Sequence, residues 1–177
     1  MINYNIKRIL FLILIPTIFI IHCSKYNELA PLHGDELFEY KYNNIIITFS
    51  VHSTDNNGFK ITRTEHYRGL NDKTDELLVD KYGVVKKSTS NKYIGKYSPL
   101  WIPVNSMNIG DKFNDGFSIL RKEKWKDWEV FVIKNPKINE ERYFEATYGY
   151  FVGAKGKVNR NYELILTNTN AYLPKIN

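Results

Sequence analysis

Residues 45–61 read Ile45-Ile46-Ile47-Thr48-Phe49-Ser50-Val51-His52-Ser53-Thr54-Asp55-Asn56-Asn57-Gly58-Phe59-Lys60-Ile61. Ile45, Ile47, Phe49 and Val51 alternate with Ile46, Thr48, Ser50 and His52, so one face is apolar and the other mostly polar. That period of two predicts a half-buried strand over 44–54. Asp55-Asn56-Asn57-Gly58 is a turn signal, and a second strand over 59–68 again places its apolar residues, Phe59 and Ile61, at odd positions. Pairing odd with odd requires a three-residue loop. Asn56-Asn57-Gly58 supplies one, with glycine in the left-handed conformation. This hairpin sets the class as antiparallel β.

The same rhythm runs outward in both directions. Phe38, Tyr40 and Tyr42 form a preceding or continuous strand, and 76–85 holds two short strands around Lys81-Tyr82-Gly83. Pro99 and Pro103 bracket Leu100-Trp101-Ile102, which excludes that stretch from a central strand. Strands over 117–125 and 128–134 make a hairpin around Lys126-Asp127, with Trp125 and Trp128 facing each other across the turn. Both faces of the second arm are apolar, which predicts a central strand covered on both sides. Strands over 142–147 and 150–155 follow, joined by Thr147-Tyr148-Gly149, and 161–168 is the last. Eight to ten strands at this spacing predict a mostly β fold: an antiparallel meander forming a curved sheet, half-barrel or small barrel.

The amino terminus follows another logic. Lys7 and Arg8 precede an apolar run over 9–21, interrupted by Pro16 and Thr17, and Cys23 follows directly after His22. At ~1.5 Å per residue the run spans about 20 Å, short of the ~30 Å hydrocarbon core of a bilayer. A charged start, a short apolar stretch and a processing site read as an export signal. Cys23 is the single cysteine, so no intrachain disulfide explains its presence. The segment Ile20-Ile21-His22-Cys23 resembles the lipobox of bacterial lipoproteins, with His22 where that pattern carries a small residue. The resemblance implies acylation of Cys23 and anchoring to a bacterial membrane, the outer membrane or cell surface before the inner one. Two or more acyl chains give stable attachment. The expected organisation is a signal peptide over 1–22, a flexible tether over 23–36 containing Pro31 and Gly34, and a single β domain over 37–177.

The domain is large enough to hold a core without disulfide or metal. The whole chain carries a net charge of +6, with its lysines scattered rather than clustered, which speaks against nucleic acid as a partner. His33 and Asp35 lie two apart without further ligands nearby, and His52 and His66 fall on adjacent strands as surface residues. No phosphate-cradling glycine loop, no Gly-x-Ser-x-Gly and no zinc spacing appears. The expectation is a non-enzyme with no catalytic residues, no cofactor and no metal.

Tyr143-Phe144-Glu145-Ala146-Thr147-Tyr148-Gly149-Tyr150-Phe151-Val152-Gly153, following the Trp hairpin and leading to a last strand, resembles the LolA/LolB-type envelope carriers. There a strand turns through Thr-x-Gly into the next strand of a curved antiparallel sheet. The resemblance, over about 117–170, implies a half-barrel whose concave apolar face holds acyl chains or another hydrophobic ligand. Phe49, Trp101, Trp125, Trp128, Phe144 and Phe151 are the expected lining residues. The competing expectation is a surface-exposed interaction or structural lipoprotein that binds a protein or an acidic polymer without catalysis.

Overall fold

A computed structural model of the chain describes residues 29–89, 93–113, 116–134, 139–157 and 161–176. The deciding hairpin is formed by β2 (Ile45–Ser53) and β3 (Phe59–Tyr67), which pair odd with odd: Ile47 with Glu65, Phe49 with Arg63, Val51 with Ile61. Its loop sits one residue earlier than expected. Thr54 N–H donates to Gly58 O at 2.9 Å, and the left-handed residue is Asn57, at φ 54°. Asparagine tolerates that conformation. Gly58 serves a different need, since a Cβ there would lie 2.4 Å from the Val79 carbonyl oxygen.

β1 (Leu37–Tyr42) is a separate strand that turns into β2 through Asn43, at φ 51°. β4 (Lys73–Val79) and β5 (Val85–Ser88) are linked by a turn that Asp80 organises. Its Oδ1 accepts from the backbone N–H groups of Tyr82 and Val84, and Gly83 takes φ 74°. On the other side stand β6 (Ser118–Trp125), β7 (Trp128–Lys134), β8 (Glu140–Glu145), β9 (Phe151–Lys157) and β10 (Asn161–Thr169). Trp125 pairs directly with Trp128, their rings 6.4 Å apart.

All ten strands form one antiparallel sheet in the order β5-β4-β3-β2-β1-β10-β9-β8-β7-β6. The first and last strands meet in its middle, and register shifts in β1, β8 and β6 mark irregularities of the kind that bend a sheet. The meander is as expected, in its open form rather than as a barrel. Its two edges, β5 and β6, are consecutive in the chain. β7 buries Trp128, Val130 and Val132 on one face but only Ile133 on the other, where Glu129 is exposed and Phe131 half-buried, and it lies second from an edge rather than at the centre.

The segment 89–117 therefore has to travel from one edge of the sheet to the other. Its Leu100, Trp101, Ile102, Val104 and Met107 are all buried. They pack over the face that carries Phe38, Tyr40, Phe49, Val51, Ile61 and Leu77, forming one core with it. Backbone bonds fix the crossing: Ser98 N–H to Gly83 O, Ile102 N–H to Gly149 O, and Phe151 N–H to Leu100 O. The opposite face is apolar around Trp125, Trp128, Val130, Val132 and Tyr143, and the carboxy-terminal segment reaches it at Lys175, 6.0 Å from the Trp128 ring, and at Ile176, whose N–H is bonded to Asp127 O at 2.7 Å.

Within the expected tether over 23–36, the described residues 30–36 pack on the domain. Ala30 and Leu32 are buried, and Ala30 N–H donates to Lys81 O. Burying one leucine contributes ~1.5–3 kcal/mol, which offsets the backbone ordering of about one or two residues at ~1–2 kcal/mol each. Cys23 and the expected export signal over 1–22 lie outside the described residues.

Candidate functional site

The six aromatic residues expected to line one concavity divide between two faces. Phe49, Phe144 and Phe151 stand on the covered face and are joined by rings. Tyr40 lies 5.6 Å from Phe49 and 5.2 Å from Phe151, and Phe151 lies 5.4 Å from Phe144. Trp101 is part of the same core at 0% exposure; its Nε1–H donates to Tyr148 O at 2.6 Å, and its ring packs on Gly83. Trp125 and Trp128 occupy the other face, where Trp125 stacks on Tyr143 at 4.5 Å and 5° and lies over Gly153. These rings touch one another, so they fill the protein rather than enclose a chain-length cavity.

Of the six, Phe144 borders a pocket. That pocket encloses about 50 Å³ beneath the crossing segment. Tyr93, Tyr97, Pro99, Ile102, Phe113 and Phe117 come from the crossing, and Ile133, Arg142 and Phe144 from β7 and β8. Its walls are mostly apolar, and Arg142 and Ser98 are set among them. Arg142 holds its guanidinium 4.5 Å from the Phe117 ring centroid and donates through Nε to Glu140 at 2.5 Å. Ser98 is 2% exposed, and its hydroxyl has no hydrogen-bond partner among the described residues. A buried hydroxyl left unpaired costs ~1–3 kcal/mol, so its place in an apolar pocket calls for a partner. The crossing residues escaped sequence reasoning because an irregular segment has no period. The available signal was aromatic density, with Tyr93, Tyr97 and Trp101 four residues apart.

Several charged groups on the sheet pair with one another. Arg121 donates to Glu123 at 2.6 Å and to Glu141 at 3.2 Å, and Lys155 lies 3.4 Å from Glu141. Partial burial pushes Glu141 up, but Arg121, Tyr143 and Lys155 outweigh it and hold the carboxyl below its usual range. Glu65 behaves alike: burial pushes up, while Tyr67 and Arg63 pull further down. A carboxyl with a depressed folded-state pKa stabilises the fold above its ordinary pKa of ~4.3, and that stabilisation is lost as pH falls through the folded value. The urea midpoint is therefore expected to fall between pH 5 and pH 2, and Glu65→Gln to flatten that slope.

His52 and His66 lie at opposite ends of the β2–β3 hairpin, paired with Lys60 and Ile46. His66 contacts Thr48 at 3.2 Å and Asp72 at 2.8 Å. Among the described residues no three His, Cys, Asp or Glu side chains gather as a metal site. The sequence matches no protein-family model and no curated protein.

Proposed function

We propose that this is an exported lipoprotein, held on a bacterial membrane through acylated Cys23, whose β domain binds an apolar ligand with one polar end in the pocket beneath the crossing segment. The observation that carries the reading is Ser98, a buried hydroxyl without a partner among the described residues, set in a wall of aromatic rings. A pocket of about 50 Å³ is well below the ~300–1,000 Å³ of sites that enclose a whole drug-sized molecule. The ligand therefore enters by one end, such as the terminus of a fatty alcohol or acid, with its polar group on Ser98 or Arg142.

The filled core favours a second reading, in which the domain binds a protein or an acidic polymer on its surface and takes no lipid. Titration of the full-length protein with a fluorescent fatty acid separates the two. The lipid reading expects saturable binding, and Ser98→Ala is expected to weaken it about tenfold, the value of one buried hydrogen bond. The same substitution should leave the urea midpoint unchanged or slightly raised, because it removes an unpaired hydroxyl. No saturable binding, or binding indifferent to Ser98→Ala, would contradict it.

A further inference from the structure

A second cleft lies where residues 30–36, the β8–β9 turn and the carboxy-terminal segment meet. It encloses about 540 Å³, within the range of small-molecule sites, and shares no lining residue with the pocket beneath the crossing. Tyr148, Tyr150 and Tyr172 wall it. Tyr172 is 75% exposed and meets the Tyr148 ring edge to face at 6.0 Å, and Tyr150 lies 6.5 Å from Tyr148. These rings present two sides of a corner rather than a closed stack.

The charge in this corner is negative. Glu36 is 4% exposed and fixed in place, its carboxylate accepting from the backbone N–H groups of His33 and Gly34. The neighbouring Asp35 lines the same cleft with an exposed side chain. No lysine or arginine lines the cleft; its one basic side chain, the exposed His33, has its Nδ1 3.1 Å from the Glu36 carboxylate and leaves Asp35 as the second acid. Burial and then Glu36 push the Tyr150 hydroxyl up, which reports the same negative field from inside the wall. Anions are disfavoured here. A hard metal ion lacks the three clustered side-chain ligands it needs among the described residues. Aromatic faces beside carboxylates are the surroundings that attract an organic cation.

We infer that this cleft binds an organic ammonium group, quaternary or primary, between Tyr148, Tyr172 and the Asp35 carboxylate. The inference does not rest on the lipid reading. The ammonium group has two sources, a free soluble amine or a zwitterionic lipid headgroup.

Calorimetric titration of the full-length protein tests it, with choline against its uncharged isostere 3,3-dimethylbutan-1-ol. Choline is expected to saturate, with the isostere at least about tenfold weaker. Asp35→Asn and Tyr172→Ala alter exposed side chains, so each should weaken choline about tenfold at an unchanged urea midpoint; Tyr172→Phe should retain binding. Competition by phosphatidylcholine vesicles would assign the lipid headgroup, and indifference to them a soluble amine. Equal binding of choline and the isostere, no binding of choline, or variants without effect would overturn the inference.

Discussion

Trp101→Ala is expected to lower the unfolding free energy by about 3–5 kcal/mol, the range for removing a fully buried aromatic side chain. Domains of this size are stable by only ~5–15 kcal/mol, so the variant should sit near the edge of folding. Three contacts are lost together. The indole fills the space between the crossing segment and the sheet, its N–H satisfies the Tyr148 carbonyl at 2.6 Å, and its ring packs edge to face on Tyr97 at 6.3 Å. The site cannot collapse easily, because Gly83 approaches the ring from the β4–β5 turn and Tyr150 is bridged to it from the start of β9. Trp101→Phe should recover part of the packing and none of the hydrogen bond. Urea denaturation followed by circular dichroism reads both, and a loss below about 1 kcal/mol would mean that the crossing lies on the sheet without supporting it.

Gly149→Ala is the second large effect, and it comes from the backbone. Gly149 has φ +79°, where an L side chain costs about 1–2 kcal/mol by itself. A Cβ there would also stand 2.0 Å from the Ile102 carbonyl oxygen and 3.2 Å from Trp101 Nε1. Relief means pulling the crossing away and breaking the 3.0 Å bond from Ile102 N–H to Gly149 O. Gly110 is the internal control, since it has φ +93° and nothing within 4 Å of its missing Cβ. Gly110→Ala is expected to show the backbone cost alone, about 1–2 kcal/mol, and Gly149→Ala at least twice that. At ~2–4 °C per kcal/mol, melting curves resolve the difference. Equal losses would show that the clash is absorbed and that the crossing is not seated on the β8–β9 turn.

Much of the sheet was legible because hairpins are local. The odd-with-odd register of β2 and β3, the Trp125–Trp128 pair and the Gly83 turn each follow from a few adjacent residues. The Asn57–Gly58 assignment failed on a distant cause. Gly58 is required by Val79 of β4, which no pattern in the turn discloses. The same holds for the pairing of β1 with β10, which closes a loop longer than a hundred residues and leaves β5 and β6 as edges. Once those edges are known, the 89–117 segment has to cross the sheet, and its apolar residues have a place to go.

The candidate site was legible in kind but not in position. Aromatic side chains do line the pocket, yet they are chiefly those of the irregular crossing, and of the expected set Phe144 alone among the described residues takes part. Alternation along a strand identifies which residues share a face. It does not say whether a face meets a ligand or a covering segment, and here the cover comes from the same chain.

The crossing segment is part of the core and roofs the pocket, rather than a loop laid over an open sheet. Native-state hydrogen exchange, read at the amides of Ser98, Ile102 and Phe151, tests it most directly. These amides donate to Gly83, Gly149 and Leu100. They should exchange as slowly as the β9–β10 ladder, through global unfolding alone. Exchange of Ser98 and Ile102 at the rate of an exposed loop, with β9 still protected, would contradict the account.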